Sequence, residues 1–175
     1  MRIFNYDKNN IYSSMSGVLI RKIEPKDNQT LKTIIKSVFH EINIPLKGTA
    51  YEDPETSNMY EAYSGPRSVY YVVEKDGKVL GGAGIKPLKG SFANICELQK
   101  MYGLPKMRGK GLGYKLLSNC FKSAIYYNFS KCYIETLPML KDAIKLYERN
   151  GFFSIPSPMG NTGHHNCNLW MLKDL

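Results

Sequence analysis

The sequence predicts a single α/β domain, and three observations lead to it. The chain has 175 residues, 43% of them hydrophobic, which is enough for one substantial core and too little for two ordinary domains. Apolar residues recur at helical spacing at Leu31, Ile34, Ile35, Val38 and Phe39, and again at Leu112, Leu116, Leu117, Cys120, Phe121 and Ala124. Around these runs lie β-rich segments such as SVYYVVEKDGKVL, where Asp76-Gly77 reads as a hairpin turn. Strands and helices therefore alternate in one compact unit.

The elements follow in order. Residues 1–16 are polar and irregular and read as an extension, and VLIRKI at 18–23 is the first strand. Glu24-Pro25-Lys26-Asp27 breaks it, with Asp27 a candidate cap for the helix carrying Leu31 to Phe39. A more polar helix is expected within 52–63, then the hairpin, then a strand at 93–103. From Leu112 an amphipathic helix sets Lys115, Ser118, Asn119 and Lys122 opposite its apolar face. KCYIET at 131–136 is a strand, and Pro138 is placed to start a helix with Met139, Leu140, Ala143, Ile144 and Tyr147 inward, ended by Asn150-Gly151. Strands near 152–155 and 167–172 flank the loop IPSPMGNTGHH.

Composition narrows the function classes. No run approaches the roughly 18 apolar residues of a membrane span, and the N-terminus lacks the apolar core of a signal peptide, so a cytoplasmic protein with no membrane partner is expected. Cys96, Cys120, Cys132 and Cys167 form no CxxC pair and read as reduced, mostly buried thiols. No metal site is expected, since His164-His165-Asn166-Cys167 is too short for zinc. The net charge of +9 admits an anionic partner. Lys100, Lys106, Arg108, Lys110 and Lys115 gather that charge around one stretch, pointing to a phosphate-bearing ligand there. Nucleic acid is not the expected partner, because helix-turn-helix, RNP-like and zinc signatures are missing.

That stretch is ELQKMYGLPKMRGKGLGYKLL at 97–117. A strand, a proline turn and a glycine-rich loop opening a helix aim backbone N–H groups and the positive end of a helix dipole at one point, which suits a phosphate. The Walker pattern fails because five residues separate Gly103 from Gly109 and Gly111 follows Lys110. The dinucleotide pattern fails because Gly109, Gly111 and Gly113 are evenly spaced and no βαβ unit starts the chain. A glycine-rich turn without a ligand is the competing reading.

Arg108-Gly109-Lys110-Gly111-Leu112-Gly113 resembles the R/Q-x-x-G-x-G/A motif of GCN5-related N-acetyltransferases, the GNAT family, and Ala143 to Phe152 resembles that family's A-x-x-L-Y-x-x-x-G-F segment. The resemblance implies one N-acetyltransferase domain over 17–175, with a mixed, mostly antiparallel sheet flanked by helices. In such a sheet the strands at 93–103 and 131–136 run parallel and splay apart to hold acetyl-CoA. It further implies that the backbone of Met101, Tyr102 and Gly103 meets the pantetheine arm, and that the amides of Arg108, Gly109, Lys110, Gly111, Leu112 and Gly113 hold the pyrophosphate. An extended, amide-rich arm can pair with a strand edge as a missing strand would.

The chemistry sets what else is needed. A lysine-like amine with a pKa of about 10.4 is neutral in about 1 molecule in 2,500 at pH 7, a cost of roughly 4.6 kcal/mol, so a base is useful. By the resemblance Glu97 is that base, and strand alternation puts Glu97, Gln99 and Met101 on one face. Tyr147 resembles the family's acid; its place on an apolar helical stripe makes packing the competing role. His164 and His165 lie in the loop that borders the acceptor pocket in relatives. Tyr70, with Tyr51, Tyr60, Tyr63 and Tyr71 and the carboxylates Glu52, Asp53, Glu55 and Glu61, is a candidate wall for a cationic acceptor. The expected activity is transfer of acetyl from acetyl-CoA to the primary amine of a small molecule by direct attack in a ternary complex. Acetylation of a protein N-terminus or lysine is the alternative, and a basic nucleic-acid-binding or coenzyme-sensing module the non-enzymatic one. A homodimer is compatible with the sequence.

Overall fold

Seven strands form one sheet in the order β1-β2-β3-β4-β5-β7-β6. In chain order the elements are β1 (Val18–Lys22), α1 (Asn28–Glu41), α2 (Met59–Ala62), β2 (Val69–Lys75), β3 (Lys78–Pro87), β4 (Ile95–Gly103), α3 (Leu112–Tyr126), β5 (Lys131–Thr136), α4 (Lys141–Arg149), β6 (Phe153–Ile155) and β7 (Leu169–Asp174). This computed structural model describes residues 17–163 and 166–175; the extension expected over 1–16, and His164 and His165, lie outside the described residues. Every neighbouring pair of strands is antiparallel except β4 and β5. The mixed sheet with one parallel pair is the architecture the motifs implied.

Each face of the sheet carries its own core. Leu112, Leu116, Leu117, Cys120 and Ala124 of α3 pack with Tyr147 of α4 against Val73, Ala83, Cys96, Leu98 and Cys132. On the other face Leu31, Ile35 and Phe39 of α1 and Met59 of α2 pack against Tyr63, Tyr70 and Val72. The apolar stripe read on α1 is buried throughout and that on α3 all but Phe121, whereas on α4 only Tyr147 of the expected stripe is fully buried. The β2–β3 turn puts Asp76 at φ 49° and Gly77 at φ 74°, the paired left-handed geometry of a tight hairpin.

Three local expectations change. Asp27 makes no side-chain cap on α1; its carboxylate instead accepts from Arg21 Nη1 at 2.7 Å and Nη2 at 2.9 Å and from the Glu24 amide at 2.8 Å. A paired guanidinium outcompetes a single helix amide. The polar helix expected within 52–63 is divided into a 3-10 turn at Pro54–Ser57 and the single turn of α2. α4 begins at Lys141 and not at Pro138, because the Leu140 amide turns back to the Leu137 carbonyl at 2.9 Å. Met139 consequently stands outside the helix and is 51% exposed.

Gly82 and Gly84 on β3 decide what lies on the α1 face. A Cβ on Gly84 would sit 2.5 Å from Tyr70 Cδ2, 2.6 Å from Tyr63 Cε1 and 2.7 Å from the Val69 carbonyl. Two tyrosine rings thus occupy space that any other residue would fill. Gly84→Val is expected to cost about 3 kcal/mol by overpacking, read as a lower denaturation midpoint at unchanged slope.

Candidate active site

β4 and β5 pair only over Ile95–Glu97 and Lys131–Tyr133. Beyond these residues β4 continues on β3 and β5 on β7, so the parallel strands part and leave a cleft through the sheet. A bulge bends β4 at that point. Gln99 stands opposite Gly84 and Tyr102 opposite Gly82, so Lys100 and Met101 together face one residue, Ala83. Lys100 takes φ 48°, an uncommon conformation for a side-chain-bearing residue that marks strained, often functional backbone. The Tyr70 hydroxyl donates to the Lys100 carbonyl at 2.8 Å and holds the bulge.

The bulge corrects the expected alternation. Met101 does not share a face with Glu97 and Gln99; it packs with the α3 core, 3.4 Å from the position of a Cβ on Gly113. Tyr102 takes the other face, against Phe39 at 5.4 Å between ring centroids. An extra residue in one strand reverses every side chain after it.

The glycine-rich loop closes one end of the cleft. Gly109 and Gly111 have φ of 69° and 71°, and a Cβ on either would meet nothing within 4 Å. Their requirement is conformational, with open space in front of the loop. Gly113 is different, since its Cβ would come 3.0 Å from Leu146 Cδ2 and force α3 away from α4. The amides of Gly109, Lys110, Gly111, Leu112 and Gly113 donate to no backbone group outside their own helix among the described residues, and the first amides of a helix have no intrahelical acceptor. Arg108 is placed differently from these five. Its amide bonds the Pro105 carbonyl at 3.0 Å, and its guanidinium grips Glu41 with two bonds of 2.7 Å and also donates to the Gly103 carbonyl. It braces the loop against α1.

Tyr147 and Glu97 approach the cleft from opposite faces. Tyr147 is 4% exposed, and it lies close enough to Cys132 of β5 and Tyr102 of β4 to interact electrostatically with both. Burial pushes its pKa well above 10, so the hydroxyl keeps its proton. That hydroxyl has no hydrogen-bond partner among the described residues, and no described buried side-chain oxygen is both sealed and unpartnered. It therefore remains accessible as a donor.

Glu97 is 3% exposed. Burial pushes its carboxyl up to about 7 against the pull of a hydrogen bond from Gln99; Glu135 on β5 adds to the rise, while Lys100 and Lys86 oppose it. A carboxylate that titrates near neutrality is suited to general-base work.

Asp53 and Glu55 of the expected acceptor wall lie on this side with residues not expected there, and Lys100, expected with the basic cluster at a phosphate, turns to these carboxylates instead. Lys100, with 2% side-chain exposure, pairs with Asp53 and lies 3.4 Å from Glu55, and Lys86 bonds Glu55 at 2.7 Å. Glu135 accepts from the hydroxyls of Tyr133 at 2.8 Å and Thr162 at 2.7 Å. Cys167 faces Glu97 and Glu135, and burial holds its thiol up at about 12, uncharged. For Glu135 the sequence signal is its alternation with Tyr133 in the strand KCYIET. Tyr70, expected to touch an acceptor, is 1% exposed and packs beneath Tyr63 at 5.0 Å between centroids. With Gly82 and Gly84 admitting its ring, it supports the bulge from below and presents no surface to the cleft.

The loop before β7 is tied down at two points. Asn166 Nδ2 donates to the Lys47 carbonyl at 2.7 Å, and the Asn161 amide to the Lys89 carbonyl at 2.7 Å. The loop before β7 is thereby tied to both the segment after α1 and the β3–β4 connection. No group of three or more described His, Cys, Asp or Glu residues is arranged to hold a metal, and no described helix is long and apolar enough to cross a membrane.

Comparison with known proteins agrees with this fold. Residues 36–152 match the model of the acetyltransferase (GNAT) family. Over 158 residues the chain is 44% identical to YjgM of Escherichia coli K12, an uncharacterised N-acetyltransferase, covering 90% of this chain and 95% of that one. A GNAT-family acetyltransferase structure from Staphylococcus aureus Mu50 superposes with a TM-score of 0.80 at 21% identity, over 90% of this chain and 98% of the other. The PaiA N-acetyltransferase of Thermoplasma acidophilum, solved in complex with coenzyme A, superposes with a TM-score of 0.73 at 18% identity, over 90% and 99%. Two motifs in order, the strands that part beyond Glu97 and a family match spanning both motifs converge, and the chain belongs to the GNAT acetyltransferase family.

Proposed function

We propose that this chain acts in the cytoplasm and transfers the acetyl group of acetyl-CoA to the primary amine of a small molecule within a ternary complex. The observation that carries the reading is the cleft opening directly beyond Glu97, with a hydroxyl on one face and loop amides at its end that have no partner among the described residues, and a buried carboxyl on the other face. When bound, acetyl-CoA supplies an acetyl thioester whose thiol has a pKa of about 8.5. The five amides from Gly109 to Gly113 would hold its pyrophosphate, with the positive end of α3 adding to the attraction. The free edge of β4 at Met101 to Gly103 would pair with its amide-bearing arm.

The remaining steps belong to side chains. Glu97 would take a proton from the incoming ammonium, directly or through water; the neutral amine would then form the C–N bond as the C–S bond breaks, and Tyr147 would give a proton to the departing sulfur and regain it from solvent. Buried, free Cys96, Cys120 and Cys132 fit a reducing compartment. The loop tied down through Asn166 and Asn161 favours a small acceptor over a protein chain, which would need an open groove. Acidic Asp53, Glu55, Glu97 and Glu135 outnumber Lys86 and Lys100 around the described part of the pocket, consistent with an acceptor that arrives as a cation.

An acetyl-CoA-consumption screen across amino acids, polyamines, aminoglycosides and lysine-bearing peptides tests the acceptor class. Turnover on a small amine with none on peptides is expected. The reverse would assign a protein acceptor. Tyr147→Phe keeps the ring and removes the donor. It is expected to lower kcat about tenfold, since a thiol needs only modest help to leave, with the KM for acetyl-CoA nearly unchanged. An unchanged single-turnover rate would leave Tyr147 a packing residue.

A further inference from the structure

Glu97 is one end of a hydrogen-bonded chain that reaches across the α1 face. Its Oε2 accepts from Gln99 Nε2 at 2.6 Å, and Gln99 Oε1 accepts from the Tyr63 hydroxyl at 3.2 Å. Neither end of the amide can be exchanged without loss. An ionised carboxylate only accepts, so it requires the NH2 end. Tyr63 is 4% exposed and burial holds its pKa well above 10, so it stays a phenol and donates to the oxygen end. The ring of Tyr63 is itself fixed, packed on Tyr70 at 5.0 Å and capped by Lys86 Nζ at 4.5 Å from its centroid. The glycines at 82 and 84 make room for both rings.

We propose that Gln99, its amide orientation locked by Tyr63, is a positioning residue that binds one oxygen of Glu97 and confines proton uptake to the other. The assignment rests on Glu97 being the base. Glu97 Oε1 accepts no hydrogen bond among the described residues, and no described buried oxygen is both sealed and unpartnered, so Oε1 is the accessible oxygen. Gln99 therefore does two things. It stabilises the ionised form of a deeply buried carboxyl, and it prevents the carboxyl from turning its reactive oxygen inward. The same hydrogen bond holds whether or not Oε1 is protonated, so the geometry survives each proton transfer.

Other groups around Glu97 bear on its titration. Glu135 from β5 raises its pKa, while Lys100 of β4 and Lys86 of β3 lower it. Tyr63, Tyr133, Cys132 and Cys167 also face it, from α2's end, β5 and the loop before β7. All four are uncharged at neutral pH; Gln99→Met leaves the other three untouched and takes from Tyr63 only the acceptor of its hydroxyl.

The test compares Gln99→Met, Tyr63→Phe and Glu97→Gln across pH in single-turnover kcat/KM profiles. A parallel carboxyl 13C titration of the coenzyme-free protein, with the Glu97 signal identified by its loss in Glu97→Gln, reads the same group without catalysis. Gln99→Met removes the donor at similar volume. It is expected to move the acid limb and the 13C titration upward by about one pH unit, since one hydrogen bond to the charged form is lost, with activity regained at higher pH. Tyr63→Phe keeps the ring and frees the amide to flip, and a smaller shift of the same sign is expected. If Glu97→Gln removes the acid limb while Gln99→Met and Tyr63→Phe leave limb and 13C titration where they were, Glu97 is the base and the positioning role is wrong. If the acid limb survives in Glu97→Gln, the base assignment itself fails and this inference falls with it. If Gln99→Met is unfolded in a melting scan, Tyr63→Phe decides the matter alone: a shift supports the lock, and none overturns it.

Discussion

Replacing Gly111 by glutamate is expected to abolish the rise in melting temperature that millimolar coenzyme A or acetyl-CoA gives the wild-type protein. A ligand that binds only the folded state stabilises it by RT ln(1 + [L]/Kd), about 2.7 kcal/mol at one hundred times Kd. Gly111 precedes α3 at φ 71°, with open space where its Cβ would point. The new carboxylate therefore enters the region that the five amides would offer a pyrophosphate. Like charges a few ångströms apart near a protein surface repel by several kcal/mol, so affinity should fall by more than about 100-fold. Backbone strain accompanies the change, because a residue with a Cβ at this φ costs about 1 kcal/mol. Gly111→Asn separates the two effects. Asparagine tolerates the left-handed conformation and adds no charge, so it should retain coenzyme-dependent stabilisation to within a few fold. A folded Gly111→Glu variant that binds coenzyme normally would place the pyrophosphate elsewhere.

What the sequence makes legible is what local signals determine. Asp76-Gly77 announces its hairpin because two successive left-handed residues suit few other structures, and the stripes on α1 and α3 announce their buried faces by period alone. The strand at 131–136 is legible to the residue. The bulge at Lys100 is not, and with it goes the face of Met101. It arises between strands, from Gly82 and Gly84 admitting two rings and Tyr70 catching the Lys100 carbonyl, and no stretch of β4 by itself carries that information. The candidate site divides in the same way. The loop glycines and Glu97 are singled out by the family resemblance. Tyr63 bonds Gln99 across 36 positions of sequence, and Lys100 bonds Asp53 across 47, contacts that only the closed fold produces. The α4 start failed for a related reason: Pro138 is a good first helical residue, but the Leu140 amide already has an acceptor in Leu137.

Glu97→Gln should lower single-turnover activity at neutral pH by on the order of 100-fold or more, the usual range for loss of a general base. The amide keeps the shape and can still accept from Gln99, so positioning is preserved and basicity is removed. Wild-type activity should climb as pH passes about 7, where the buried carboxyl ionises. In the variant this limb disappears, and the rate should instead rise toward the pKa of the amine itself. The two profiles converge there, because solvent then supplies neutral amine. Stability moves the other way. A carboxyl whose folded pKa lies above its unfolded one favours the fold below the unfolded value, and that contribution is lost as pH rises through the folded value. From the ordinary value to about 7 the loss is on the order of 3 kcal/mol. Glutamine has no charge to bury, so Glu97→Gln should melt higher than wild type at pH 8 and about the same at pH 5. Lower activity in a more stable protein would separate a lost base from a damaged fold. An activity loss of the same factor at every pH would make Glu97 a packing or positioning residue and move the search for the base to His164, His165 or an ordered water.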